Sequence, residues 1–148
     1  MNRKGFTLVE IMIVVAIIAL LAAIAIPNLL RARLQANESS TQAALKTIAT
    51  AEVTYRTANA TYGTLAELGA ATPPYIDAVL SAGAKNGYDF ATSDIAGETF
   101  CANAEPATPN VTGVRSFCIT EDGVLRVQAA GGAIADRDAC LALPASQP

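Results

Sequence analysis

The segment of residues 5–30, GFTLVEIMIVVAIIALLAAIAIPNLL, constrains this chain most strongly, because residues 11–26 within it are all apolar. As an α-helix, residues 6–30 would extend about 37 Å, enough to cross a hydrocarbon core of about 30 Å with some tilt. Two residues interrupt the pattern, Glu10 near the start and Pro27 near the end. Ionisable groups inside a membrane span are costly and mark functional positions, so Glu10 requires a partner.

Composition excludes several classes of function. The chain of 148 residues contains no histidine, which removes His-based metal sites, Ser-His-Asp triads and Cys-His dyads. Its 10 Lys and Arg residues are scattered, so we expect no nucleic-acid binding. Neither a nucleophile–base pair nor a cofactor-binding loop can be assembled from these residues. We therefore expect the chain not to be an enzyme.

The order of polar and apolar residues divides the chain into three parts. A short polar leader occupies residues 1–5, and the apolar half of a helix occupies residues 6–30. Residues 31–148 are enough for one small domain with a modest core.

A single long helix is predicted over about residues 6–59, kinked at Pro27. Residues 30–59 contain no Gly or Pro and are rich in helix-forming residues. This second half is amphipathic, and its apolar stripe consists of Thr41, Ala44, Leu45, Ile48, Ala51 and Tyr55. The opposite, polar face is formed by Glu38, Gln42, Lys46 and Thr50.

A small antiparallel sheet is predicted beyond the helix. Leu65 and Leu68 suggest one helical turn that packs on the stripe, and turn signals occur at residues 85–87 and 121–123. The strand candidates are residues 88–91, 98–102, 115–120 and 124–127. A loose tail of Ala and Gly is expected up to Pro148. The predicted fold class is therefore α+β, with a long helix packed on three or four antiparallel strands.

Residues 4–10, KGFTLVE, followed by the apolar run and Ile26-Pro27-Asn28, resemble the N-terminus of type IV pilins and type II secretion pseudopilins. The resemblance implies the pilin fold and a role as a filament subunit without catalytic activity. It also implies that a membrane-embedded prepilin peptidase cleaves between Gly5 and Phe6 and N-methylates the new N-terminus at Phe6.

The same resemblance assigns roles to the two exceptions in the apolar segment. Glu10 matches the glutamate that pairs with the N-terminal amine of a neighbouring subunit during assembly. Pro27 marks a segment that can lose helicity in the filament. From the residues alone, Glu10 could instead snorkel to the membrane interface, and Pro27 could simply kink the helix at the membrane exit.

Two other interpretations of the N-terminal segment compete with this one. Arg3 and Lys4 with residues 23–25, Ala-Ile-Ala, fit an ordinary secretory signal peptide, which would release a secreted binding domain. A plain membrane anchor is the second alternative. Glu10 argues against both, because neither gives a reason for a carboxylate within the span.

The resemblance also implies partners and a location. The precursor is expected in the bacterial inner membrane, in contact with lipid, the prepilin peptidase, an assembly platform and its ATPase. The assembled homo-oligomeric filament is expected to be a type IV pilus at the cell surface. The alternative is a pseudopilus of a type II secretion system, which spans the periplasm.

Three cysteines, Cys101, Cys118 and Cys140, lie on what would be the exported side, where one disulfide is expected. Many pilins have a C-terminal disulfide, and this resemblance favours Cys118 with Cys140. Cys101 with Cys118, which would join neighbouring strands, is the alternative. A metal site is not expected. Six acidic residues raise calcium as the alternative, but their spacing does not resemble a liganding loop: Asp89, Asp94, Glu98, Asp122, Asp136 and Asp138.

Overall fold

A computed structural model describes residues 5–146 of the chain. Apart from Gly5, the expected leader lies outside the described residues, as do the last two residues of the expected tail. The chain divides into two compact units, one ending at Arg33 and the other beginning at Leu34. The first unit is the apolar part of a helix, and the second contains a sheet and its core.

Helix α1 runs from Leu8 to Asn59 and contributes to both units. It begins two residues later than expected from the sequence and ends where expected. Beyond Ala60, which has a positive φ of 61°, the backbone leaves the helix. The single long helix predicted from propensity and length is confirmed.

Five antiparallel strands form the sheet, in the order β1-β2-β3-β4-β5. Their bounds are β1 Ala84–Lys85, β2 Tyr88–Ala96, β3 Thr99–Pro106, β4 Ser116–Thr120 and β5 Leu125–Gln128. The four strands expected from the sequence are β2 to β5, and the structure adds the two-residue edge strand β1. The α+β fold class is confirmed.

A tight turn between β1 and β2 follows from an Asn-Gly pair. Asn86 has a φ of 53° and Gly87 a φ of 77°. Positive φ at both central residues is the requirement of a type I′ hairpin turn, which Asn-Gly satisfies best. The turn predicted at residues 85–87 is therefore confirmed, and the structure adds the hairpin partner β1.

The hydrophobic core lies between the second half of α1 and one face of the sheet. The predicted stripe residues Leu45 and Ile48 are fully buried there. The aromatic core side chains from the sheet are Tyr88, Phe90, Phe100 and Phe117. Helix α2, Leu65–Ala70, adds Leu65 and Leu68 to the same cluster, as the sequence predicted. A further helical turn, α3, spans Ala78–Ser81.

The C-terminal region is not the loose tail expected from its Ala and Gly content. Residues Arg137–Leu141 form a short helix, α4. After it, Pro144 accepts a hydrogen bond from the backbone N–H of Val127 (3.1 Å), and Ser146 donates one to the carbonyl of Leu125 (2.7 Å). The chain thus pairs with the outer edge of β5 and covers a sheet edge that would otherwise be open.

Candidate functional site

Gly5 and Phe6 precede α1 and are exposed. The Phe6 side chain is 85% accessible, and a Cβ placed on Gly5 would have no described atom within 4 Å. The peptide bond between them lies outside the helix. The structure thus places the predicted cleavage bond ahead of α1, and cleavage there stays a prediction.

Glu10 has a partner within its own chain. Its Oε2 accepts hydrogen bonds from the backbone N–H and the Oγ1 of Thr7, each at 2.8 Å. The Thr7 Oγ1 in turn accepts from the N–H of Glu10 at 3.3 Å. This reciprocal pattern is a capping box, which satisfies donors at the start of a helix, and a carboxylate there is also favoured by the helix dipole.

Thr7 was not singled out from the sequence, although a signal for it exists. The pattern Thr-x-x-Glu ahead of an apolar run is the sequence signature of a capping box. Thr7 therefore positions the Glu10 carboxylate at the first turn of α1. Of the two carboxylate oxygens, only Oε2 takes part in the capping box.

In the first unit, apolar side chains lie on every side of α1, and within the described residues they are exposed. This part of α1 is long and apolar enough to cross a membrane. The exposed large side chains are Phe6, Leu8, Val9, Ile11, Met12, Ile13, Val14, Val15, Ile17, Ile18, Leu20, Leu21, Ile24, Ile26, Leu29 and Leu30. An apolar surface of this extent requires lipid or other protein chains to cover it.

Pro27 lies inside α1 on this exposed surface. Without an N–H it cannot donate to the carbonyl of Ala23, so one bond of the helical ladder is missing. The neighbouring Asn28 side chain donates to the carbonyl of Ile24 at 3.2 Å. The helix continues through Pro27 despite the missing bond, and its loss of helicity in a filament stays a prediction.

A disulfide joins Cys118 to Cys140, the first of the two pairings expected. It ties α4 to strand β4. Cys101 is free and fully buried, packed with the disulfide and Ile134 in a small second cluster. Burial raises the pKa of the Cys101 thiol to about 11, so it stays protonated and unreactive near neutral pH.

Five of the six acidic residues considered for calcium, all but Asp89, have hydrogen-bond or ion-pair partners in the described part of the chain. Asp136 caps α4 by accepting from the N–H of Ala139 at 2.8 Å, and Asp94 accepts from the N–H of Arg137 at 2.7 Å. Asp122 pairs with Arg126. Within residues 5–146, no group of three or more His, Cys, Asp or Glu side chains is arranged to hold a metal ion.

Glu38, which the sequence placed on the polar face of α1, is buried, and that placement was wrong. Its Oε1 accepts from the backbone N–H groups of Val114 (3.0 Å) and Arg115 (3.1 Å), and its Oε2 accepts from the Arg115 side chain at 2.8 Å. Burial alone would raise the pKa of Glu38, but these hydrogen bonds outweigh it and hold the pKa below its ordinary value.

Neighbouring residues of α1 fix the same region of the second unit. Asn37 donates to the carbonyl of Thr112 at 2.8 Å, and Ser40 accepts from the Asn86 side chain. Together with Glu38, they hold the β3–β4 loop, residues 107–115, and the β1–β2 turn against α1. No local sequence pattern predicts these contacts, because their partners lie far apart in the chain.

Comparison with known proteins supports the N-terminal assignment. Residues 1–26 match the family model described as the prokaryotic N-terminal methylation motif. The chain therefore carries a motif that is named for N-terminal methylation.

Two curated relatives are type IV pilins. The chain is 49% identical over 61 residues to the type IV wide pilus major component PilA4 of Thermus thermophilus, across 41% of this chain and 47% of that protein. It is 35% identical over 122 residues to the type IV major pilin protein PilA of Myxococcus xanthus, across 82% of this chain and 50% of that protein. The chain thus spans about half the length of the curated relatives it matches. The resemblance to type IV pilins is confirmed.

Proposed function

We propose that this chain is a structural subunit of a type IV pilus. The observation that carries the proposal is the methylation motif at the start of a helix whose apolar side chains are exposed in the first unit. Such a surface suits two environments in turn, the lipid bilayer for the precursor and the packed centre of a filament for the mature subunit. The pilin relatives support the second environment.

In this proposal, the precursor lies in the inner membrane until a prepilin peptidase cleaves between Gly5 and Phe6 and methylates Phe6. An assembly platform with its ATPase then incorporates the subunit into a filament at the cell surface. The chain itself supplies packing surfaces and hydrogen bonds, and we assign it no catalytic role and no cofactor.

Cleavage changes the electrostatics around Glu10. In the precursor, the nitrogen of Phe6 is a neutral amide, whereas cleavage converts it to a cationic amine. A carboxylate in an apolar environment is tolerated when it is paired with such a cation. The Thr7–Glu10 capping box fixes the carboxylate on the first turn of α1. In this proposal, the amine of an adjacent subunit pairs with it there.

Processing is tested by mass spectrometry of the chain from a pilus-producing host. We expect mature protein that begins with N-methylated Phe6, and a Gly5→Leu variant that stays as full-length precursor in the membrane. The same host without its prepilin peptidase is the control and should accumulate the same precursor. Normal processing of Gly5→Leu would contradict the assigned bond, and a mature N-terminus near Ile26 would favour an ordinary signal peptide.

Assembly is tested with two variants of Glu10. Glu10→Ala removes both the capping interaction and the charge, whereas Glu10→Gln keeps a capping side chain and removes only the charge. We expect both variants to be cleaved and both to be nearly absent from sheared filaments. Normal incorporation of Glu10→Gln would refute the charge pairing and leave capping as the role of Glu10.

The location of the filament separates a pilus from a pseudopilus. Mechanical shearing releases surface pili into the medium, so the subunit should appear in the sheared fraction of wild-type cells. Recovery of assembled subunits only from the periplasm would support the pseudopilus alternative. The disulfide-closed C-terminal region and the names of both relatives favour the pilus.

A further inference from the structure

Glu52 is a glutamate that lies in the interior of the second unit. It lies on α1, and its side chain has no accessible surface. Its Oε2 accepts a hydrogen bond from the backbone N–H of Gly63 at 2.9 Å. Its Oε1 is buried without a hydrogen-bond partner among the described residues. A carboxyl group in this setting is far less costly when neutral than when ionised.

The bond to Gly63 fixes the connection between α1 and α2, residues 60–64. Gly63 lies against the ring of Tyr55, so an added Cβ would be only 2.9 Å from a ring carbon. The preceding Tyr62 is buried against Phe100, with 4.7 Å between ring centroids. The backbone at Gly63 therefore has little room to move while its N–H is bonded to Glu52.

Charges on the surrounding elements do not neutralise Glu52. Arg56, one turn further along α1, is directed at Glu98 in the β2–β3 turn (2.8 Å) and at the hydroxyl of Tyr62. Glu67 on α2 contributes a second negative charge. Burial raises the pKa of Glu52 most, the Gly63 hydrogen bond lowers it, and Glu67 raises it further, giving a value of about 7.

We propose that Glu52 is a proton-controlled latch, which holds the α1–α2 connection against α1 when neutral and releases it when ionised. The neutral carboxyl keeps an acceptor for the Gly63 N–H and places no charge in the core. Ionisation leaves a negative Oε1 without a donor, and the connection must open to admit water. This latch operates in the domain whether or not the chain assembles into a filament.

The direction of the pH effect follows from proton binding. Between about pH 4.5 and 7, the folded chain holds the proton of Glu52 while the unfolded chain has lost it. The stabilisation is therefore complete below about pH 4.5, declines as the pH rises and is lost above about pH 7. The two pKa values correspond to a change of roughly 300-fold in the folding equilibrium constant.

The first experiment measures urea unfolding of the full chain in non-ionic detergent micelles at several pH values. For the wild type, we expect the equilibrium constant to fall by roughly 150-fold from about pH 4.5 to 8. Glu52→Gln keeps the shape and the acceptor for Gly63 but cannot ionise, so most of this fall should disappear. An identical pH dependence in Glu52→Gln would overturn the proposal.

A second measurement does not depend on the variant being folded. The ¹³C NMR signal of the Glu52 carboxyl in the wild-type chain should titrate with a midpoint near 7, and a midpoint near 4.5 would overturn the proposal. Amide exchange at Gly63, corrected for its intrinsic pH dependence, should accelerate over the same range.

Glu67→Gln is the matched control, because Gln can replace Glu in the α2 capping box. It should lower the midpoint of Glu52, and an unchanged midpoint would contradict the role assigned to Glu67.

Discussion

Replacing Glu38 by Ala should destabilise the second unit by about 3 kcal/mol. The Glu38 side chain is 7% exposed and accepts from two backbone N–H groups and one guanidinium. Arg115 is 44% exposed and can turn to water, so loss of the ion pair accounts for only part of the effect. The backbone N–H groups of Val114 and Arg115 cannot turn away, and each costs about 1–3 kcal/mol when left unpaired.

Urea unfolding of the full chain in detergent micelles near neutral pH measures this loss. Gln35→Ala is the matched control, since Gln35 is exposed one turn earlier on α1, and its effect should stay within about 0.5 kcal/mol. Glu38→Gln keeps an acceptor for the two backbone N–H groups and should fall between wild type and Glu38→Ala. If Glu38→Ala is no less stable than Gln35→Ala, the assigned role of Glu38 is refuted. If Glu38→Gln is as unstable as Glu38→Ala, the hydrogen bonds from the two backbone N–H groups are not the main contribution of Glu38 to stability.

Two further predictions concern the sheet and its closure. Replacing both Cys118 and Cys140 by Ala should lower the unfolding free energy by about 3 kcal/mol, because the bridge closes a loop across a sequence separation of 22 residues. Equal urea unfolding midpoints for the wild type and this variant would contradict the prediction. Gly87→Ala should lower the melting temperature more than Gly97→Ala does. Both glycines have positive φ, but only at Gly87 would the new Cβ meet a neighbour, Thr112, at 2.7 Å. An equal fall in melting temperature for the two variants would show that the contact with Thr112 does not matter.

Local sequence signals predicted the elements whose determinants are themselves local. Helix propensity over residues 30–59 and the absence of Gly and Pro there determine α1. Asn86 and Gly87 determine the first hairpin, since they meet its need for positive φ. The short strand β1 escaped prediction, because two residues cannot show an alternating pattern.

The burial of two acidic residues on α1 could not be predicted from such local signals. Glu38 and Glu52 are both buried, each for a reason that lies elsewhere in the chain. The donors to Glu38 are more than 70 residues away in sequence, and the donor to Glu52 belongs to the next connection. A helical projection shows which residues share a face, but it cannot show which distant N–H groups will meet them.

The C-terminal region shows a related limitation. Its Ala and Gly content gives no periodicity, so the sequence predicted a loose tail. The structure is ordered by one local contact, the Asp136 cap of α4, and by two long-range constraints: the disulfide joins Cys140 to β4, and residues 144–146 pair with β5. None of these depends on an amphipathic pattern.

The chain uses one capping signal twice, and this pair allows the role of Glu10 to be isolated. Thr7–Glu10 and Thr64–Glu67 form the same reciprocal hydrogen bonds, with distances of 2.8 Å and 2.7 Å from the Thr N–H to the carboxylate. Glu67 caps α2 in the second unit, so capping alone gives no reason for a special role in assembly. If capping were the whole function of Glu10, replacement by Gln would be equally mild at both positions. If the Glu10 charge pairs with a neighbouring amine, Glu10→Gln should lose filament incorporation while Glu67→Gln assembles normally. Comparable assembly of the two variants, measured in sheared fractions at equal expression, would refute the pairing.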